Sequence, residues 1–334
     1  MKTTITDVAR QAGVSIKTVS RVLNDEPNVA EATRAKVVKA AGELQYAPNL
    51  AARGLAGSRS YMLALIYDNP NPSYIAGLQG GAVAACRRKG YRLVLEPMTQ
   101  AAAEAPDVAL TLRRLGVDGV IVSPPLSASD SLLAALADVG LPHVAIASSP
   151  IGSVPTVHMD DAEAAHRMTC HLIDHGHGAI GFVAGPDSHP ASSRRREGFV
   201  RAMTEAGLAV PAVRMAQGDF TFDSGVRAGR TLLSQGGDRP TAIFATNDDM
   251  AAGVMAAATE AGFAIPDDLS VGGFDDTPIA RMIRPGLTTI AQPIRDMGAA
   301  AAMRLIARPV GDGSDADAFG FDLAVRGSTG PAPT

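Results

Sequence analysis

Across the first fifty residues, apolar side chains recur every three or four positions, the period of a helix with one buried face. Residues 4–24 divide into two such stretches. Thr6 is expected to cap the first, Val8 and Ala9 open its inner face, and Gly13 ends it, because glycine tolerates the left-handed backbone of a tight turn. Ser15 is expected to cap the second helix, where Val19, Val22 and Leu23 point one way and Ile16, Lys17, Ser20 and Arg21 point the other. Asp25-Glu26-Pro27-Asn28 reads as a turn. A third helix is expected over 31–45, with Val37, Val38, Ala41 and Leu44 facing inward to close a core over Val8, Val19, Val22 and Tyr46. The stretch 46–56 is less regular. Asn49 can cap about two turns there, Gly54 weakens them, and a helix that short is marginal in water without a partner.

From residue 60 the pattern changes to apolar runs of strand length alternating with helical stretches. Strands are expected at 62–67, 92–96, 119–123, 143–147, 179–184, 213–217, 242–245 and 270–274. Helices are expected at 74–89, 107–115, 131–138, 160–175, 194–206, 225–234, 248–261 and 296–306. Alternation of this kind predicts parallel sheets with helices on both faces, and the length of the region suits two lobes.

Composition sharpens this picture at one point. The chain of 334 residues carries a net charge of −4, but residues 1–59 hold nine Lys/Arg against five Asp/Glu, for +4, which leaves −8 on the remainder. A basic amino-terminal module on an acidic body predicts one end that meets a polyanion. Hydrophobic residues make up 46% and charged residues 19%, ordinary values for a folded chain. Cys86 and Cys170 stand far apart in no metal-like spacing and read as reduced thiols. The amino terminus lacks the apolar core of a signal peptide, and no apolar run approaches the ~18 residues of a membrane span. The expected location is cytoplasmic, in association with the nucleoid.

Two sets of residues carry candidate chemistry. On the second helix, one apolar tip, two cations and a hydroxyl suit the major groove, where cations meet guanine edges or phosphates and an aliphatic group meets a thymine methyl. In the body, ligands of open α/β folds bind beyond the carboxyl ends of the strands. Arg195, Phe220, Phe222, Asn247 and Asp275 fall there, with Gln292 on a later crossing. Arg, Asn and Asp supply fixed donors and acceptors for adjacent hydroxyls, and phenylalanine offers a flat face to a sugar ring. Asp248 and Asp276 fall nearby but read as helix caps. From the other lobe Asn69, Asn71, Ser73 and Tyr74 follow the first strand, and Ser123 ends the third. His171 and His175 share a helix face, but no further ligand stands at supporting spacing, so no metal is expected. GxSxG and GxxxxGK[ST] motifs are missing, and no GxGxxG fingerprint joins an expected strand to a following helix, so neither an enzyme nor a cofactor is expected.

The string Thr-Asp-Val-Ala-x-x-Ala-Gly-Val-Ser-x-x-Thr-Val-Ser-Arg-Val-Leu-Asn at 6–24 closely resembles the DNA-binding headpiece of the lactose-repressor (LacI/GalR) family, without a gap. The resemblance extends to the carboxyl end. It implies a small all-α helix-turn-helix headpiece on an α/β two-lobed body like a type I periplasmic binding protein, with parallel doubly wound sheets. The implied divisions are 1–47 for DNA binding, 48–59 for a hinge helix or linker, and 60–334 for effector binding and dimerisation. Within the last, one lobe takes about 60–159 and 292–320 and the other about 160–291 and 321–334, with crossings near Asp160, Gln292 and Gly320. The family usually caps its third helix with serine. Ala30 stands there, so about 1 kcal/mol of capping is forgone.

Beyond Ile16, Lys17, Ser20 and Arg21, the resemblance implies DNA contacts at Thr4, Ser15, Thr18, Asn24, Asn28 and Thr33. In the hinge it implies Asn49, Ala52, Arg53 and Leu55, with Leu55 as a minor-groove wedge that unstacks a base step. The expected protein is a homodimeric, sequence-specific transcriptional repressor of palindromic operator DNA, controlled by a mono- or disaccharide. The alternatives are a solute-binding protein for sugar uptake and a repressor with a non-sugar corepressor such as a purine. The polar tail after Arg326 is too short for the leucine-heptad tetramer helix of a few family members.

Overall fold

The computed structural model describes residues 3–23, 29–46, 59–307 and 316–333. It divides into a unit at Met1–Tyr61 and a unit at Met62–Thr334.

In the first unit, helices α1 (Ile5–Ala12), α2 (Ile16–Leu23) and α3 (Glu31–Glu43) enclose Val8, Ala9, Val19, Val22, Val37, Ala40 and Ala41. The cap of α1 is Thr4, not Thr6. Asp7, three residues on, accepts from the Thr4 backbone N–H at 2.9 Å and from its hydroxyl at 2.7 Å, and that reciprocal box leaves Thr6 inside the helix. Gly13 ends α1 with φ 67°, and Ser15 Oγ accepts the Thr18 N–H at 3.1 Å to start α2. Ala30 heads α3 without a side-chain cap. Val38 departs from its expected inward position and is 57% exposed. Val37, Ala40 and Ala41 complete the buried stripe of α3, and Val38 lies about 100° around the helix from Val37.

The second unit contains two six-stranded sheets. The elements that build the first are β1 (Met62–Tyr67), α4 (Pro72–Arg88), β2 (Arg92–Pro97), α5 (Gln100–Ala103), α6 (Val108–Arg114), β3 (Gly119–Val122), α7 (Asp130–Asp138), β4 (His143–Ala147) and β5 (Thr156–Met159). The chain then passes into the second lobe through α8 (Asp161–Asp174), β6 (Ile180–Ala184), α9 (Pro190–Glu205), β7 (Met215–Gln217), α10 (Phe222–Leu233), β8 (Ala242–Ala245) and α11 (Asp248–Glu260). It continues through β9 (Ser270–Asp275), α12 (Pro278–Met282) and β10 (Thr288–Ala291), and returns with α13 (Ile294–Ala307) and β11 (Ala316–Phe319). It crosses once more at Gly320 into β12 (Asp322–Ala324). The strand orders are β11-β5-β4-β3-β1-β2 and β12-β10-β9-β8-β6-β7, parallel throughout except that β12 runs antiparallel to β10. β3, β8 and β9 are buried at every position, as strands covered on both faces must be.

Several elements differ from the sequence reading at their edges. β7 begins at Met215, because 212–214 form one 3-10 turn after Pro211. α4 and α9 start earlier, each with proline in the first turn, where a missing N–H costs nothing. α10 starts at Phe222 because Thr221 caps it. Strands β5, β10, β11 and β12 lack the long apolar runs that mark the others. Among the described residues, no helix is long and apolar enough to cross a membrane.

Three helix pairs approach so closely that only glycine fits between them. A Cβ on Gly81 of α4 would strike the Arg295 carbonyl, one on Gly198 of α9 the Ala162 carbonyl, and one on Gly225 of α10 the Met250 carbonyl. Helix propensity alone makes Gly→Ala stabilising by about 1 kcal/mol in a helix interior. Overpacking against a backbone carbonyl reverses the sign. Gly198→Ala is therefore expected to destabilise the body by about 1–3 kcal/mol, read as a lower Tm. A raised Tm would contradict this packing.

Candidate functional site: a recognition helix and an interlobe cleft

On α2, Val19 and Val22 are buried, while Ile16 is 47% exposed at the first turn, Lys17 is exposed, and Ser20 and Arg21 are half-buried. The expected groove-facing set thus shares one side of a helix anchored from the other. Ser15 and Thr18 bridge each other at 2.9 Å beside it, and Thr33 is half-buried in the first turn of α3. Thr4 is exposed, but its hydroxyl and N–H are both committed to Asp7. Asn24, Asn28, Asn49, Ala52, Arg53 and Leu55 lie outside the described residues.

In the second unit, a cleft between the two sheets is lined from the first lobe by Asn69, Asn71, Tyr74, Pro124, Ser148 and Met159. The second lobe contributes Asp161, His189, Arg195, Phe220, Asn247 and Asp275, and Gln292 and Met297 lie on the return crossing. Its free interior is about 30 Å3, room for water but far less than a small-molecule site of several hundred Å3, so the cleft is narrow as it stands. Asn71 spans it. Its Oδ1 caps α4 by accepting from Ser73 and Tyr74 N–H at 3.0 and 3.1 Å, and its Nδ2 donates to Asp249 Oδ2 at 2.9 Å on the far lobe.

Arg195 is the centre of the polar constellation. Nε donates to Asp161 Oδ1 at 2.7 Å and one terminal nitrogen donates to the Thr246 carbonyl at 2.5 Å. The other terminal nitrogen lies 3.7 Å from Asp275 Oδ1, and the guanidinium sits 3.7 Å above the Phe274 ring. Burial pushes the Asp275 carboxyl well up, Arg195 opposes that shift, and the Asp248 and Asp161 carboxylates add to it. The Tyr74 hydroxyl is likewise held protonated by burial and by Asp161 and Asp275. Phe220 and Asp275 adopt φ of 69° and 113°, conformations that side chains other than glycine's rarely take and that cluster at ligand sites.

The remaining candidates divide. Asn247 lines the cleft, but both ends of its amide are occupied: Nδ2 donates to the Phe220 carbonyl at 2.9 Å and Oδ1 caps α11 through the Met250 N–H at 3.0 Å. Gln292 Nε2 points at Asp275 Oδ1, 3.4 Å away. Phe222 does not reach the cleft. As the first residue of α10 it is 42% exposed, and Phe220, two residues earlier and 4% exposed, supplies the aromatic wall instead. Ser73 lines a separate groove with Gly77, Thr277 and Arg281. Ser123 is fully buried and is not among the residues that line the cleft, so neither serine does so. Asp248 is structural: it accepts from Thr277 N–H, the Thr277 hydroxyl and the Thr289 hydroxyl at 2.7, 3.0 and 2.6 Å. Asp276 joins Arg281 and Arg326, each at 2.6 Å. Sequence reasoning missed Asp161 and His189. Asp160 caps α8 through the Ala162 and Glu163 N–H groups, which leaves the adjacent Asp161 to face Arg195, and only that doublet hinted at it.

Two buried imidazoles make the body acid-sensitive. Burial lowers His177, which bonds to Thr241, Ser270 and the Gly330 carbonyl, and burial with the Arg195 charge lowers His189 to about 3. Both are neutral when folded and take up a proton on unfolding below the ordinary value near 6.5. The stability these two groups contribute is therefore full above that pH and is lost beneath it. His189 alone is expected to cost about 2 kcal/mol by pH 5. Denaturant unfolding of the parent and of His189→Leu at pH 7.5 and pH 5 checks this: the parent is expected to lose about 2 kcal/mol relative to the variant between the two pH values, and an equal change in both would refute it.

Comparison with known proteins places both parts of this architecture. Residues 4–49 match the model of bacterial regulatory proteins of the lacI family, and residues 169–329 match a periplasmic binding protein-like domain. Catabolite control protein A of Priestia megaterium is 37% identical over 312 residues, covering 92% of each chain. The structure resembles the lac repressor dimer bound to operator and the anti-inducer ONPF, with TM-score 0.80, 28% identity, and 99% of this chain and 100% of that one covered. It also resembles the transcriptional regulator CelR–cellobiose complex, with TM-score 0.73, 31% identity, and 98% and 99% covered. With a helical headpiece of net positive charge and a polar cleft in an acidic two-lobed body, the chain belongs to the lacI family of bacterial regulatory proteins and is a DNA-binding transcriptional repressor of that type, its effector taken by the carboxyl-terminal body.

Proposed function

We propose that this repressor acts in the cytoplasm, at the nucleoid, as a homodimer on palindromic operator DNA and that a small sugar sets its affinity. Residues 1–47 read the half-sites through Ile16, Lys17, Ser20 and Arg21. Residues 48–59 are the hinge between that headpiece and the body, with Leu55 wedging the minor groove. Residues 60–334 bind the effector and dimerise, since two headpieces match two half-sites.

The observation that carries the effector reading is the buried Arg195–Asp161–Asp275 constellation beside Phe220 in a cleft between lobes. A guanidinium and carboxylates fixed against an aromatic wall suit the hydroxyls and flat apolar face of a sugar. Binding requires the cleft to open and then re-close around the ligand, which alters the lobe-to-lobe angle. Transmitted to the spacing of the paired hinges, a coupling of about 1–3 kcal/mol changes operator occupancy about 5- to 150-fold.

A second reading has its own support. Tyr74 and Phe220 line the cleft from opposite lobes, an arrangement that can also sandwich a purine. Fluorescence anisotropy on an operator selected from random DNA, titrated with sugars and nucleobases, separates the two. Release or tightening by a sugar supports the first reading, and a response confined to purines supports the second. Operator binding must also weaken steeply with salt through counterion release, which a solute-binding protein would not show.

A further inference from the structure

We propose that the first lobe carries a second, sequence-independent DNA contact at the edge where its strands begin, and that this edge takes the phosphate backbone of the DNA that the headpiece reads. The proposal rests on residues 1–47 reading that DNA. β1, β2 and β3 run parallel, with Met62 opposite Arg92 and Leu63 opposite Gly119, so their amino ends share one edge of the lobe. The helices between them run back to that edge and end there. α4 closes with Arg87 and Arg88 in its last turn and Lys89 as its cap, and Gly90 and Tyr91 then lead into β2, which opens on Arg92. α6 closes with Arg113 and Arg114, and the Asp118 N–H beyond it donates to the Met62 carbonyl at 2.7 Å. Six cations from three elements are thereby gathered at one end of one lobe, and all six are exposed.

The charge stands out against the rest of the body, where residues 60–334 hold 21 Lys/Arg against 29 Asp/Glu. The acids described at this edge are Asp118, Asp138 and Asp317, and Arg304 already holds Asp317 at 2.5 and 2.9 Å. Among the described residues Arg87, Arg88, Lys89, Arg92 and Arg114 enter no salt bridge. Surface cations of the second lobe behave otherwise: Arg194, Arg201, Arg227 and Arg230 each meet a carboxylate. A helix dipole favours cations in a last turn, which accounts for part of the cluster but not for Arg92 on a strand. The position of the cluster supplies the partner. The chain enters the body at Met62, in this same edge, so DNA held by residues 1–47 is tethered to it by residues 48–61, which span at most about 50 Å. An acidic body held that near a duplex repels it unless a basic face is presented. Long, exposed Arg and Lys side chains suit phosphate oxygens, contacts that fix position and carry no sequence information.

The test is fluorescence anisotropy of the full-length protein across a salt series, on an operator selected from random DNA and on a random duplex. One variant combines Arg87→Gln, Arg88→Gln, Lys89→Gln and Arg92→Gln. It is expected to bind both duplexes roughly tenfold or more weakly at about 0.1 M salt, with the slope of log K against log salt reduced by about two or more, because each phosphate contact contributes about 0.9. A second variant, Arg87→Lys with Arg88→Lys and Arg92→Lys, keeps every charge and is expected to bind within about threefold of the parent. The glutamine variant breaks no salt bridge and is expected to keep the parent's Tm; should it melt lower, the salt slope still decides, and a slope equal to the parent's overturns the proposal. So does parent-like affinity, which leaves the edge to an acidic protein or to no partner, and so does a loss confined to the operator. Lys17→Ala separates this proposal from the reading of the headpiece. If it weakens operator binding while the glutamine variant does not, the headpiece reading stands and the basic edge falls. If only the glutamine variant weakens binding, the edge stands and the assignment of α2 to the groove falls.

Discussion

Replacing Arg195 with alanine is expected to abolish the effector response and to cost the body about 3–5 kcal/mol of stability. Both effects come from the same burial. The guanidinium and the Asp161 carboxylate are each 6% exposed at the side chain and 2.7 Å apart, so truncating one strands the other charge away from water. The Thr246 carbonyl loses its donor as well. A loss of response in the single variant is therefore ambiguous, since a partly unfolded body also fails to respond. The double variant Arg195→Met, Asp161→Leu resolves this. Replacing both members of a buried pair with apolar groups of similar volume is often neutral or stabilising. Thermal denaturation is expected to show most of the lost stability regained, while anisotropy on operator DNA shows no effector response. A normal response in the double variant would remove Arg195 from the site.

The second large effect is expected on DNA. Lys17 stands exposed in the first turn of α2, next to Ile16 and opposite the buried Val19 and Val22, so Lys17→Ala removes a cation without touching the headpiece core. Operator affinity is expected to fall by about 1–3 kcal/mol. Measurement on random DNA and across a salt series identifies the contact. If Lys17 meets a base edge, operator binding weakens while random DNA is little affected. If it meets a phosphate, both weaken and the salt slope drops by about one. Unchanged operator affinity would show that this face of α2 is not the one in the groove.

The headpiece was largely legible in advance because its determinants are local. A helix with a 3.6-residue period buries Val8, Val19, Val22 and Val37 whatever else the chain does, and Gly13 ends α1 on its own backbone preference. The same reading erred by one position on α3, where Val38 lies on the edge of an apolar pair and only packing against α1 and α2 selects Val37. It also placed the α1 cap at Thr6, two residues late, because a capping box depends on a reciprocal partner and Asp7 answers Thr4.

In the body, the alternation of strand and helix announced parallel sheets, and strand ends pointed to Arg195, Asn247 and Asp275. What the sequence determined by itself was therefore the class of each element and the neighbourhood of the cleft. Tertiary structure decided the roles inside that neighbourhood. The partners of Arg195 lie 34 and 51 residues away, and Asn71 meets Asp249 across 178 residues, separations that no local period can register. Which phenylalanine faces the cleft depended on where Thr221 capped α10, and the engagement of the Asn247 amide depended on the Phe220 carbonyl lying opposite it. Asp161 and His189 remained invisible for the same reason: a buried polar side chain is defined by what stands opposite it, and that is set only when distant segments close on one another.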